Sequence, residues 1–165
     1  MPTWRRPDHV LPAPPLAMTT TRRFRFRLQS HHPGPEPSSN DLSVQWLNGE
    51  GRWEPQELSL TMPGFRLYLI SLLLCQYVYL VANARERQIP LAGVQAEFTV
   101  TAAQDWILQS VIGDFRMQLH AAEGNATAPL VPESDLAYIQ ERMKGCPVSR
   151  NLQAGVEKIT SVRLA

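Results

Sequence analysis

Cysteine is almost absent from this chain: there are two in 165 residues, Cys75 and Cys146, 71 positions apart. So sparse a supply excludes a secreted disulfide framework and points to a reducing cytoplasm, where two thiols are either buried ballast or redox chemistry. Charge of one sign is missing as well. A formal net charge of +1 supplies no field to draw in nucleic acid or an anionic membrane, and neither is expected as a partner. The opening "MPTWRRPDHVLPAPPLAM" starts basic but holds five prolines and no continuous apolar stretch. It does not read as a signal peptide; residues 1–18 read as a disordered tail. Metal-ligand spacing is lacking too. Cys75 and Cys146 have no paired ligands, and His31 and His32 stand side by side without a Cys or carboxylate at the right interval, so they read as an exposed polar pair and no metal or cofactor is expected.

What remains is one domain over 19–165, in a chain 44% hydrophobic and long enough to bury a core without staples. In "RRFRFRLQ", Phe24, Phe26 and Leu28 alternate with Arg23, Arg25 and Arg27, the period of a strand with one buried and one wet face. The arginine row is a solvated face or edge protection rather than a nucleic-acid stripe. "HHPGPEPSSN" breaks the pattern as a loop, and "LSVQWL" places Leu42, Val44 and Trp46 on one side of a second strand.

From Pro63-Gly64 onward, "FRLYLISLLLCQYVYLVANARERQ" predicts a helix of about six turns, apolar nearly all round. Its uncharged run from Leu67 to Asn83 falls short of the ~20 residues a bilayer prefers, and Ser71, Gln76 and three tyrosines interrupt it. A buried central helix is therefore expected, not a membrane span. "LAGVQAEFTVT" and "DFRMQLHA" alternate again and predict an antiparallel pair of strands, with "AAQDWILQSVIG" as extension or irregular connection. "EGNATAPLVPES" is loop; its Asn125-Ala126-Thr127 matches a glycosylation acceptor that has no meaning in a cytoplasm. "PESDLAYIQERMKG" carries Leu136, Ile139 and Met143 at helical spacing, with Ser134 as N-cap, and "GVEKITSVRLA" closes as a strand. The order β-β-α-β-β-α-β gives an α+β fold: a mostly antiparallel sheet around a long buried central helix.

The two cysteines differ in setting. A thiol is reactive only as thiolate, and apolar surroundings raise its pKa. Cys75, inside the greasiest run, reads by itself as a small buried hydrophobe. Cys146 precedes a proline, which withholds a backbone N–H and restrains the chain, so "GCP" after a helix is a positioned thiol. A cysteine hydrolase would need a histidine nearby, and His120 is the one outside loop and tail; that reading is set aside.

A thiol in an apolar central helix, followed by a second in "GCPVSRNLQAGVEKI" ahead of a short terminal strand, resembles the OsmC/Ohr family of thiol-dependent peroxidases. The resemblance runs from Arg22 to Leu164. It implies an intertwined homodimer with two active sites at the subunit interface, and a peroxidatic role for Cys75, whose thiolate would attack an organic hydroperoxide and become a sulfenic acid. It implies that Cys146 resolves this to a disulfide, which an external dithiol, in the family often a protein-bound lipoyl group, would reduce. Apolar neighbours such as Leu72 and Tyr79 would favour a hydrophobic peroxide over hydrogen peroxide.

One family feature is missing. A glutamate nine or ten residues before the helical cysteine, where it helps hold an activating arginine, is replaced by Phe65 and Arg66 in "PGFRLYL". Nine helical residues turn through about 900°, placing Arg66 opposite Cys75 in its own chain. Glu54 and Glu57 lie further upstream, and the activating arginine is not assigned among Arg23, Arg25, Arg27 and Arg52. This motivates the alternative expectation: a non-catalytic or ligand-binding OsmC-like dimer whose two cysteines form a redox latch.

Overall fold

The computed structural model describes residues 21–33, 41–121 and 130–165, so the tail over 1–18 and the Asn125-Ala126-Thr127 tripeptide lie outside the described residues. The arginine-phenylalanine alternation forms strand β1, Arg22–His31, with Phe26 and Leu28 buried on one side and Arg27 and Gln29 exposed on the other. Strand β2, Ser43–Leu47, pairs antiparallel with it and sets Trp46 opposite Phe26. Strands β4, Leu91–Ala102, and β5, Leu108–Leu119, form the expected antiparallel pair, and β4 lies along the full length of β1. Strand β6, Glu157–Leu164, joins β5 in parallel, because the chain returns from β5 through helices and not through a hairpin.

Two elements go beyond the expected order. Strand β3, Trp53–Pro55, and the one-turn helix α3, Pro147–Arg150, are each too short to leave a periodic signature. The six strands of the described residues follow the order β3-β2-β1-β4-β5-β6. The inner face of this sheet carries Phe26, Val94, Phe98, Val100, Val111, Phe115 and Met117, all 1% exposed or less. Onto it packs helix α1, Gly64–Glu86, through Leu69, Leu72, Leu73 and Leu80. By length and composition α1 could cross a membrane, yet these residues make it the core helix of the domain. Each such buried leucine contributes about 1.5–3 kcal/mol of transfer free energy, an upper bound because the unfolded chain is itself partly collapsed. Helix α2, Glu133–Lys144, buries Ile139 and Met143 against α1.

Two local expectations are corrected and a third is divided between its alternatives. Ser134 is not the N-cap of α2: the chain is held extended at Pro132 (ψ 141°), whose carbonyl accepts from Asp135 N at 3.0 Å, so the helix opens at Glu133. The irregular connection after β4 shrinks to residues 103–107, closed by Ala103 N to Ile107 O at 2.8 Å, and the rest of "WILQSVIG" continues into β5. His31 and His32 are not an exposed pair. His31 ends β1, and His32 is only 3% exposed, its backbone N–H bonded to Ala92 O and its Nε2 within 3.2 Å of Ser30 Oγ and 3.3 Å of Tyr77 Oη.

That burial, with the nearby His31, His120 and Arg85 charges, pushes the His32 imidazole below its ordinary value of 6.5. The unfolded chain then binds a proton that the folded chain resists, so stability declines as pH falls from about 6.5 and recovers as pH rises. Urea midpoints measured between about pH 7.5 and pH 5 are expected to fall with pH in the wild type and to fall less in His32→Gln.

The end of α1 supplies a second prediction. Ile89 N bonds to Ala84 O at 2.9 Å and Gln88 N to Arg85 O at 2.8 Å, the paired closure of a Schellman cap. Gln88 occupies its left-handed position at φ 55°, where glycine is unstrained. Gln88→Gly is expected to raise the unfolding free energy by about 1 kcal/mol, read as a shift in urea midpoint at constant slope.

Candidate active site

Cys75 sits midway along α1 and is half-buried; Cys146 is fully buried. The chain reaches Cys146 by a defined route. Helix α2 stops at Gly145, Cys146 N bonds back to Met143 O at 3.2 Å, and Cys146 turns extended at ψ 141° to become the N-cap of α3. Pro147 follows at the first helical position, where its fixed φ suits the turn and its missing N–H costs nothing. The sulfur is thereby aimed inward. Ser149 N donates to Cys146 Sγ at 3.4 Å, and Cys146 Sγ lies 3.1 Å from Ser149 Oγ.

Helix α3 packs against α1 across 71 residues of sequence, tied by Gln76 Nε2 to Ser149 Oγ at 3.2 Å, and Cys146 is among the groups close enough to Cys75 to influence its thiol. Burial pushes the Cys75 thiol up, the hydrogen bond and proximity of Cys146 push it further, and the backbone N–H of Val148 partly opposes them. No cation is among these influences from the described residues. A hydrophobic wall with one peptide N–H is a setting in which the thiol form prevails until it is oxidised or the cation comes from elsewhere.

Arg66, at the position where the missing acid would stand, is occupied otherwise. Its guanidinium lies 3.5 Å from the centre of the Trp46 ring. Glu54 accepts from Trp46 Nε1 at 3.1 Å and from Asn48 Nδ2 at 2.5 Å, and these bonds, Asn48 first, hold its carboxyl below the usual range despite some desolvation, with Arg52 and Arg66 adding to the effect. Glu54 therefore folds back onto β2 and the Trp46 that carries Arg66.

Two further residues belong to the site: Gln76, which the sequence marks only as a break in the apolar run, and Ser149. Gln76 is 3% exposed and its Nε2 donates to Ser149 Oγ at 3.2 Å, while its Oε1 is buried with no partner among the described residues. Gly113 of β5 makes room for that amide: a Cβ there would stand 3.1 Å from Gln76 Oε1 and 2.8 Å from the Phe115 ring. A glutamine inside the most apolar run was the available signal, and a serine three residues after the restrained cysteine was the other.

The other face of the sheet bears a polar groove of about 340 Å³ lined by Arg27, Gln45, Gln95, Glu97 and Arg116 among others. Glu97 pairs there with Arg25 at 3.8 Å and Arg27 at 3.6 Å, so the arginine row is a compensated outer face. No cysteine lines it.

No family model matches this sequence, and no curated protein does. Solved structures do resemble it. An OsmC-like hydroperoxide resistance protein from Jannaschia sp. CCS1 superposes with a TM-score of 0.51 at 18% identity, over 80% of this chain and 88% of that one. A chain described only as structural genomics gives 0.52 at 10% identity, over 74% of this chain and 90% of that one. An OsmC-like protein from Mycoplasma pneumoniae gives 0.49 at 13% identity, over 89% of this chain and 96% of that one. The match to the Jannaschia protein identifies the architecture: this chain has the OsmC-like fold.

Proposed function

We propose that this chain is a thiol-dependent peroxidase of the OsmC/Ohr kind, reducing organic hydroperoxides through a Cys75 and Cys146 cycle. The observation that supports it is the packing of α3, capped by the buried Cys146, against α1, which carries the half-buried Cys75, with Gln76 next to Cys75 bonded to Ser149 of α3. Cys75 attacks the distal peroxide oxygen; the O–O bond breaks, an alcohol leaves, and the sulfur becomes a sulfenic acid. Cys146 attacks that sulfur, the S–S bond forms, and the displaced hydroxide takes a proton to leave as water. An external dithiol, such as a protein-bound lipoyl group, returns both thiols. Leu72 and Tyr79 on α1 give the site an apolar surround that suits an alkyl or aryl peroxide. The likeness to a protein described as a hydroperoxide resistance protein supports the same chemistry, and a reducing cytoplasm is the compartment that would keep the pair charged.

The active unit we propose is a homodimer. Leu67 and Val78 on α1 are 41% and 57% exposed, with Leu74 and Val81 half-buried at helical intervals along the same stripe. An apolar stripe on a core helix is a surface for a second copy, which would also bring a guanidinium from outside the chain to Cys75. Sedimentation velocity is expected to give the mass of two chains.

One consideration favours the redox latch instead: burial pushes the Cys75 thiol up and no cation among the described residues opposes it. Stopped-flow mixing of reduced protein with cumene hydroperoxide, and separately with hydrogen peroxide, decides between them. The peroxidase loses two thiols rapidly and prefers cumene hydroperoxide; a latch reacts with both no faster than a free thiol.

A further inference from the structure

We propose that Ser149 and Gln76 are positioning residues that make Cys146 the departing sulfur when an external dithiol opens the Cys75–Cys146 disulfide. The inference rests on the reading of the two cysteines as one redox pair. It begins from the donors around the Cys146 sulfur. Ser149 Oγ lies 3.1 Å from Cys146 Sγ and accepts from Gln76 Nε2 at 3.2 Å, so its hydroxyl hydrogen is left to turn to the sulfur. The Gln76 carbonyl oxygen is buried with no partner among the described residues.

The thiolate form strengthens these contacts. Ser149 turns its hydroxyl to donate to the Cys146 sulfur, still accepts from Gln76 Nε2, and its backbone N–H at 3.4 Å gives the sulfur a second donor. Hydrogen bonds to a charged partner are roughly twice as strong as neutral ones. Ser149 and Gln76 are each 3% exposed, so no water need be displaced for the hydroxyl to turn. The arrangement suits a sulfur that becomes negative, whereas Cys75 has the Val148 N–H alone among the described residues.

Access points the same way. Cys146 is 0% exposed and Cys75 is half-buried, so an incoming thiolate reaches the Cys75 sulfur. It bonds to Cys75 Sγ, the Cys75–Cys146 bond breaks, and the electron pair departs on Cys146, where the Ser149 donors receive it. Exchange is faster when the leaving sulfur is the better-stabilised anion. The second thiol of the dithiol then loses its proton to water, attacks the mixed disulfide and closes its own ring. Cys75 is released as thiolate and takes a proton from solvent; the dithiol is oxidised by two electrons and the protein reduced by two.

The test avoids peroxide altogether. The full chain is oxidised with diamide and reduced with dithiothreitol under pseudo-first-order conditions. Ser149→Ala is expected to be reduced about tenfold more slowly than wild type, Ser149→Thr within about twofold of it, and Gln76→Met about threefold more slowly. In wild-type protein, a monothiol, glutathione, is used to trap the intermediate, and peptide mapping is expected to find it on Cys75. Glutathione on Cys146, or a Ser149→Ala variant reduced at the wild-type rate, overturns the proposal. The mapping needs no variant and stands even if Ser149→Ala does not fold. A protein in which diamide joins no Cys75–Cys146 bond overturns the redox pair and this inference together, whereas a normal disulfide with the wrong trapped cysteine overturns this inference alone.

Discussion

Cys75→Ser is expected to react with cumene hydroperoxide on the order of a thousandfold more slowly than the wild type, because an unactivated hydroxyl is not a nucleophile near neutral pH. Cys146→Ser is expected to keep the first step and stop there, leaving a sulfenic acid that dimedone traps on Cys75. The asymmetry follows from position. Cys75 is the thiol open to a substrate, and Cys146 is sealed behind α3 with its sulfur turned to Ser149. The pH profile carries a sign as well. Burial pushes the Cys75 thiol up, so its reactive thiolate accumulates only as pH rises through and beyond the ordinary thiol range. The rate constant should therefore climb with pH across that range. Stopped-flow rates for the three proteins, with dimedone adducts read by mass spectrometry, check all of this; equal rates in wild type and Cys75→Ser would remove Cys75 from the chemistry.

Phe98→Ala is expected to lower the unfolding free energy by about 3–5 kcal/mol, read from urea unfolding. Phe98 is 0% exposed on the central strand β4, directly opposite Phe26 on β1 and Gly113 on β5. Its removal leaves a cavity between sheet and α1 that rigid neighbouring strands cannot fill. The same ring crowds the glycine that admits Gln76: a Cβ on residue 113 would lie 3.3 Å from Phe98 Cδ2 as well as 2.8 Å from the Phe115 ring. Gly113→Ala by itself is expected to cost about 1–3 kcal/mol through overpacking. The double variant Phe98→Leu with Gly113→Ala should cost less than the sum of the two single changes, because one relieves what the other crowds. Strict additivity would mean that the two sites do not share this space.

The fold was legible where a period was long enough to repeat. Phe24, Phe26 and Leu28 against the arginines gave β1, and the apolar run from Leu67 gave α1 with its start at Gly64. Elements of three or four residues were not legible, since neither β3 nor α3 completes a repeat. His32 was misread because a loop composition of His, Pro, Gly and Ser says nothing of the Tyr77 hydroxyl and Ser30 that enclose the ring. The cysteines were legible as candidates through their scarcity and the proline after Cys146. Their supporting residues were not: Gln76 and Ser149 meet 73 positions apart, and only the packing of α3 against α1 joins them. The role of Glu54 was open for the same reason, until Trp46 and Asn48 were seen to hold it.

The most direct test is to treat the reduced protein with one equivalent of cumene hydroperoxide, count free thiols, measure the cumyl alcohol released, and map the product by mass spectrometry. The account predicts one equivalent of alcohol, loss of both thiols, and a single disulfide joining Cys75 and Cys146. Thiols left intact, or a product whose disulfide links the same cysteine of two different chains, would contradict it.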